Sequence, residues 1–155
     1  MEKLIDPGEP KMYPVKDLPA HVMAGVLTLW KRELGKLPED TDRVVFTYFD
    51  GIYTNHPISE DLYIHEMVHF VRQGNGKDKN LADVWWLSYL DDKEFRYQEE
   101  LMAYKEQYKF AVNRMKLNRQ QKFELGRYLA KELASEKYGR ICTADQAFHD
   151  IFMVQ

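Results

Sequence analysis

The chain has 155 residues, of which 45% are hydrophobic and 30% charged, with a formal net charge of −3. This length supports a single domain with a sizeable core and no need of disulfides. The only cysteine, Cys142, excludes an internal disulfide and any zinc site built from cysteines. Because the N-terminus lacks the apolar run of a secretory signal, and no stretch approaches the roughly 20 apolar residues of a membrane span, we expect a soluble cytoplasmic protein.

The first part of the chain predicts an arm and then a helix. Residues 1–16 hold three of the six prolines and are expected to form an extended N-terminal arm, followed by a single domain at 17–155. Apolar residues recur at helical spacing from Asp17 to about Gly35, which predicts a helix that ends at the glycine. Residues 37–42 predict a loop.

The pattern changes between Arg43 and Asn55. β-Branched and aromatic residues surround Asp50-Gly51, and this dipeptide between two such runs predicts a hairpin with a type I′ turn. The rest of the chain predicts helices. The first, capped by Ser59, carries residues 62–73, and the others are expected at about 82–90, 93–115, 119–138 and 143–152. The expected fold is therefore α+β and mostly helical, with a hairpin or small antiparallel sheet beside the helix that Ser59 caps.

That helix contains the sequence His-Glu-Met-Val-His, an HExxH motif. His65 and His69 are four residues apart, so both imidazoles project from one face and can hold a single Zn²⁺. Glu66 is rotated by about 100° from His65, beside the metal rather than on it. Three apolar residues of this helix are expected to form its buried stripe: Ile64, Val68 and Val71.

A catalytic zinc needs a third protein ligand and an open position. The best candidate is Glu100, within Glu-Leu-Met-Ala-Tyr on the helix predicted at 93–115. The small Ala103 on the adjoining turn would let two helices approach closely enough to share an ion. Glu99 is the alternative if the ligand assignment is displaced by one residue.

HExxH followed by Glu-x-x-Ala resembles the gluzincin group of zinc metallopeptidases, and the Glu-x-x-Ala-Tyr form is similar to small metallopeptidases encoded by phages and prophages. The resemblance implies a minimal zincin-like domain that hydrolyses peptide bonds by zinc-activated water. It implies that His65, His69 and Glu100 bind zinc and that Glu66 is the general base. In one branch of the group, aspartate follows Glu-x-x-Ala. This chain has Tyr104 at that position and so departs from the pattern of that branch. The resemblance also implies that residues 43–54 offer a strand edge to a peptide substrate.

Stabilisation of the oxyanion would need a further donor. Tyr104 is the first choice for this catalytic role, and His149 and Tyr97 are the next. Two non-enzymatic alternatives stay open. One is a zinc-stabilised structural or assembly protein, such as a virion component, whose site is closed by a fourth ligand such as His149. The other is a nucleic-acid-associated module that uses the basic region 105–140, where ten Lys/Arg face four Glu.

Overall fold

The structure is a computed structural model that describes residues 8–153. Residues 1–7 of the predicted arm and residues 154–155 lie outside the described residues. The protein is α+β and mostly helical, which confirms the predicted class. In chain order the strands and longer helices are β1 (Lys11–Tyr13), α1 (Ala20–Leu34), β2 (Phe46–Tyr48), β3 (Gly51–Tyr53), α2 (Glu60–Arg72), α3 (Lys79–Asp91), α4 (Lys93–Met115), α5 (Arg119–Leu133) and α6 (Ala144–Phe148). Short 3₁₀ helices lie at Val15–Asp17, Thr41–Arg43 and Glu136–Tyr138, and a π-helical turn follows at His149–Met153.

The sheet has the order β1-β3-β2, with β2 antiparallel and β1 parallel to β3. The predicted hairpin is present, but its turn was predicted one residue too late. Tyr48 pairs with Gly51, so the central residues are Phe49 and Asp50, and of these only Phe49 has positive φ, at 53°. The turn is therefore not type I′. Gly51 is needed for another reason, because a Cβ there would overlap the ring of Tyr13 on β1.

Helix ends follow the side chains that cap them. The hydroxyl of Ser59 accepts a hydrogen bond from the N–H of Leu62 at the start of α2. Asp92 caps α4 in the same way, and α4 has the predicted bounds. The helix predicted to reach residue 138 ends earlier, at Leu133, because the chain turns towards α1. There the indole of Trp30 donates to the carbonyl of Lys137 at 3.0 Å.

Two hydrophobic clusters form the core. One joins α1, the sheet and α3, and the other joins α4, α5 and the C-terminal helical turns. The helix α2 packs along α4. Its buried face is not the predicted apolar stripe, since Val71 is 46% exposed whereas His65 and His69 are buried. Within residues 8–153, no helix is both long and apolar enough to cross a bilayer.

Candidate metal centre

The structure brings the three predicted ligands together between α2 and α4. His65 and His69 lie one turn apart on the buried face of α2, and Glu100 faces them from α4. Oε1 of Glu100 is 3.1 Å from Nε2 of His65 and 3.2 Å from Nε2 of His69. Ala103, which is fully buried, stands on the next turn of α4, where a larger side chain would separate the two helices.

These separations can be compared with those of a zinc site. Bonds of about 2.0–2.1 Å at tetrahedral angles place ligand atoms roughly 3.3 Å apart. The two contacts of Glu100 are within about 0.2 Å of that spacing, and the ligand atoms of all three residues lie within 4.8 Å of one another. Two imidazole nitrogens and one carboxylate oxygen are the donor set of many catalytic zinc sites. The side chains therefore fit a zinc ion.

Charge at the centre is concentrated on Glu100. Burial alone would raise the pKa of this carboxyl, but His69 and the hydrogen bonds from both histidines hold it well below its ordinary value. Burial alone would lower the pKa of His69, whereas the Glu100 carboxylate raises it to about 9. The second oxygen of Glu100 accepts a hydrogen bond from the hydroxyl of Tyr89 at 2.6 Å. The carboxylate is thus anionic and held from two sides.

Glu66 lies beside the ligands, as predicted for a residue that does not itself bind the ion. Its Oε1 accepts a hydrogen bond from the Thr47 hydroxyl on β2 at 2.7 Å, and its Oε2 is 3.9 Å from Nε2 of His65. One carboxylate oxygen is therefore fixed by the sheet, and the other faces the ligand side. The hairpin contributes to the site by orienting this glutamate.

A small cavity adjoins the ligands. Its volume is about 40 Å³, which holds a few water molecules and is far too small for a peptide. Besides the ligands, its lining includes residues of α1, of the chain leading into β2 and of the 3₁₀ helix after α5, among them Trp30, Val44, Lys137 and Tyr138. The ligands themselves are at most 4% exposed. The centre is enclosed in this conformation.

The neighbouring glutamate has a different role. Glu99 faces away from the ligand atoms and accepts hydrogen bonds from Arg72 at 2.7 and 3.2 Å and from the Trp85 indole at 2.9 Å. It ties the end of α2 to α3 and α4. The structure therefore groups Glu100, and not Glu99, with the histidines.

The other sequence candidates lie outside the group of candidate ligands, although the ring of Tyr104 packs edge-on against that of His65, with 4.3 Å between the centroids. The hydroxyl of Tyr104 lies 2.7 Å from that of Tyr138, and it is Tyr138 that lines the cavity. Tyr97 is hydrogen-bonded to Asp150. The side chain of His149 is 64% exposed beside Asp150, and the candidate metal-binding group found within residues 8–153 does not include it. The prediction of His149 as a fourth ligand is therefore wrong, because the π-helical turn carries it to the surface.

Two polar residues of the centre were missed by sequence reasoning. Thr47 holds Glu66, and Gln107, which is 5% exposed, lies 3.0 Å from Nδ1 of His65. Gln107 stands seven residues after Glu100, two turns along the same helix face, and this spacing is the signal that could have revealed it. Nothing in the hairpin sequence distinguishes Thr47 from an ordinary strand threonine.

The outer edge of β2 is occupied by side chains. The amide of Gln73 donates to the carbonyl of Thr47 at 2.9 Å and accepts from the N–H of Phe49 at 2.9 Å. The indole of Trp86 donates to the same carbonyl. These contacts take the positions that a peptide strand would use, so the expected pairing of substrate along this edge is not available between residues 47 and 49.

Half of the basic side chains in the region 105–140 form ion pairs with acids of the chain. Ion pairs join basic side chains of this region to glutamates and aspartates, some of them distant in sequence, such as Arg114 with Glu60 and Arg127 with Asp145. Five of its ten basic residues pair in this way: Lys109, Arg114, Arg127, Lys137 and Arg140. This pairing reduces the positive charge offered to an anionic partner.

Comparison of the chain with family models, with curated proteins and with solved structures gave no match.

Proposed function

We propose that this protein is a zinc-dependent peptidase in which His65, His69 and Glu100 hold the ion. The observation that carries the proposal is the approach of both imidazole Nε2 atoms to one oxygen of Glu100, at 3.1 and 3.2 Å, in a buried site. Zinc in that position would act as a Lewis acid towards a carbonyl and would lower the pKa of a water molecule. An HExxH helix provides the same residues in the metallopeptidases that the sequence resembles.

Glu66 is the general base in this proposal. The Thr47 hydroxyl keeps Oε1 engaged, so Oε2 is the oxygen that takes a proton from the attacking water and returns it to the leaving amine. A carboxylate held in one orientation loses little freedom when the proton moves. The position of Oε2, 3.9 Å from Nε2 of His65, supports this role because the oxygen is on the ligand side of the carboxyl group.

The phenol that faces the reacting carbonyl is assigned to Tyr138. This residue lines the cavity, whereas the ring of Tyr104 packs against that of His65 and its hydroxyl contacts the hydroxyl of Tyr138. Burial and the charge of Glu100 raise the pKa of both phenols well above the ordinary value, so both remain protonated donors. Tyr104 then orients Tyr138 instead of contacting substrate, which modifies the role expected for it from the sequence.

The test combines metal analysis with a peptide-library digest. Wild-type protein should contain about one zinc per chain and cleave peptides, and Glu66→Gln should keep the metal and lose cleavage. Glu124→Gln on α5 changes a glutamate on an exposed stretch of helix and serves as the matched control, with cleavage unchanged. Full cleavage by the Glu66 variant, or a zinc-free wild-type protein that cleaves equally well, would disprove the assignment.

The enclosure of the centre favours a second candidate function, a protein that uses zinc only to stabilise its fold. A cavity of about 40 Å³ and ligands at most 4% exposed are what such a site requires. Under this alternative, zinc removal lowers the melting temperature strongly, and no peptide in the library is cut by metal-loaded protein. Under the peptidase proposal, cleavage is detected and is lost on chelation.

A further inference from the structure

We propose that Gln107 and Asp61 are positioning residues that fix which nitrogen of His65 carries the proton, and so leave its Nε2 free for the metal. The inference rests on the proposed function, because it assumes the metal site. The three side chains form a continuous hydrogen-bonded chain. Nδ1 of His65 is 3.0 Å from Oε1 of Gln107, and Nε2 of Gln107 donates to Oδ2 of Asp61 at 2.8 Å.

The hydrogen bonds that link Asp61, Gln107 and His65 have a fixed direction because the three side chains differ in what they can donate and accept. An ionised carboxylate only accepts, so Asp61 must receive the N–H of the Gln107 amide. The amide then turns its oxygen, which also only accepts, towards the imidazole. Nδ1 of His65 is therefore the donor, and in the neutral ring the lone pair is on Nε2. The carboxylate thus sets the amide, and the amide sets the tautomer.

This tautomer has a consequence for the neighbouring carboxylate. With its lone pair on Nε2, a neutral His65 has no proton to donate to Oε1 of Glu100, which lies 3.1 Å away. This short contact is attractive when a positive species, either a second proton on the ring or a metal ion, lies between the two atoms. Gln107 and Asp61 therefore leave two electron-pair ligands, Nε2 of His65 and Oε1 of Glu100, ready for a cation. They also disfavour a hydrogen bond between a neutral His65 and Glu100.

The position of Gln107 on α4 explains how this arrangement arises. The polar residue that follows Glu-x-x-Ala in one branch of the resembling peptidases corresponds here to Tyr104, whose hydroxyl faces Tyr138. Gln107 supplies a polar group one turn further along the same helix. Nδ1 of His69, by contrast, is buried without a hydrogen-bond partner among residues 8–153. Only one of the two motif imidazoles is therefore held in this way.

A purely structural role makes different predictions. Gln107 could be a satisfied buried amide, and Asp61 could serve only as a negative charge in the first turn of α2. In that case their substitution would lower stability and leave the properties of the imidazole unchanged. Gln73 provides the comparison, since it is a fully buried glutamine with two hydrogen bonds to the hairpin and none to His65.

The first measurement is the zinc Kd, obtained by competition with a chromophoric chelator. Gln107→Leu should weaken binding by about 10- to 100-fold, the usual effect of losing a partner of a ligating histidine. Gln73→Leu should lower the melting temperature but keep the Kd within about twofold of wild type. An unchanged Kd in folded Gln107→Leu would overturn the proposal. If that variant does not fold, Asp61→Asn tests the same chain, with several-fold weaker binding expected and an unchanged Kd again contradicting it.

The second measurement uses metal-free protein and needs no activity. Long-range ¹H–¹⁵N NMR at pH 8, assigned with His65→Gln, should show the His65 proton on Nδ1 in wild type and a mixture of tautomers in Asp61→Asn. A wild-type ring that carries a proton on Nε2, with or without one on Nδ1, or identical His65 signals in wild type and Asp61→Asn, would overturn the proposal. Because this result does not depend on zinc, a wild-type protein that binds no zinc would refute the proposed function while the tautomer still decides the role of Gln107.

Discussion

The change Glu100→Gln tests the metal centre with little disturbance of its shape. The amide has nearly the size of the carboxylate and can still accept the hydrogen bond from Tyr89, which lies 2.6 Å from Oε2. What is lost is the negative charge that approaches His65 and His69 at 3.1 and 3.2 Å. Glu99→Gln is the matched control, because the adjacent glutamate is equally buried but pairs with a half-exposed arginine.

The expected magnitude follows from the number of ligands. Four-ligand zinc sites have apparent binding free energies of roughly 10–16 kcal/mol, or about 3 kcal/mol for each ligand, which corresponds to roughly 100-fold in Kd. Glu100→Gln should therefore weaken zinc binding by about 100-fold and Glu99→Gln by less than about threefold. Chelator competition measures both, with circular dichroism to verify folding. Equal effects of the two changes, or a larger effect of Glu99→Gln, would refute the ligand assignment.

Three further predictions concern the hairpin glycine, the cysteine and the two buried tyrosines. Gly51→Ala should destabilise the protein by about 1–3 kcal/mol in urea unfolding, because the new methyl group overlaps the β1 tyrosine ring, whereas Gly8→Ala, with open space around it, should have little effect. Burial raises the pKa of the Cys142 thiol to about 11, so at pH 8 it should react with a disulfide reagent roughly 100-fold more slowly than free cysteine, and at the ordinary rate in urea. Tyr138→Phe should lower kcat by about 100-fold and Tyr104→Phe by much less; the reverse order would return the oxyanion role to the latter residue.

The grouping of the three candidate ligands could be predicted from the sequence because most of it is local. The spacing of His65 and His69 places both on one helix face, and Ser59 marks where that helix begins. Glu100 is distant in sequence, yet it falls on a helix whose ends are marked by Asp92 and by a left-handed residue, Lys116. Local capping and periodicity thus determine where each candidate ligand lies on its helix. They do not determine the approach of the two helices, which Ala103, on the turn after Glu100, favours.

The orientation of α2 could not be predicted in the same way. The apolar pattern predicts Val71 inside, but the structure exposes Val71 and buries His65 and Glu66 instead. Polar groups are buried here because each meets a partner from elsewhere, Thr47 from the sheet and Gln107 from α4. Hydrogen bonds to partners this distant in sequence leave no periodic pattern in the helix whose polar residues they bury.

The sheet shows a related limit of local patterns. Asp-Gly has the strongest hairpin signal, but the turn forms one residue earlier and leaves Phe49 with positive φ. The register is set by β1, whose parallel pairing with β3 brings Tyr13 over the glycine. A three-residue strand in the proline-containing N-terminal segment has too little sequence of its own to predict that pairing.

The contacts that enclose the candidate metal centre also raise the free energy of any conformation in which a peptide could reach it. Lys137 and Tyr138 of the 3₁₀ helix at Glu136–Tyr138 line the cavity, and three hydrogen bonds join them to α1 and α4: from the Trp30 indole to the carbonyl of Lys137, from Arg96 to the carbonyl of Tyr138, and between the Tyr138 and Tyr104 hydroxyls. At about 1 kcal/mol each, breaking these three bonds alone costs about 3 kcal/mol, so an open form that lacks them would make up at most roughly one molecule in 100. A peptide that binds only the open form has its apparent affinity reduced by that fraction. Under the proposed function, efficient cleavage would therefore require a substrate whose own contacts replace these three bonds, whereas a bound metal ion would be retained by the same closure.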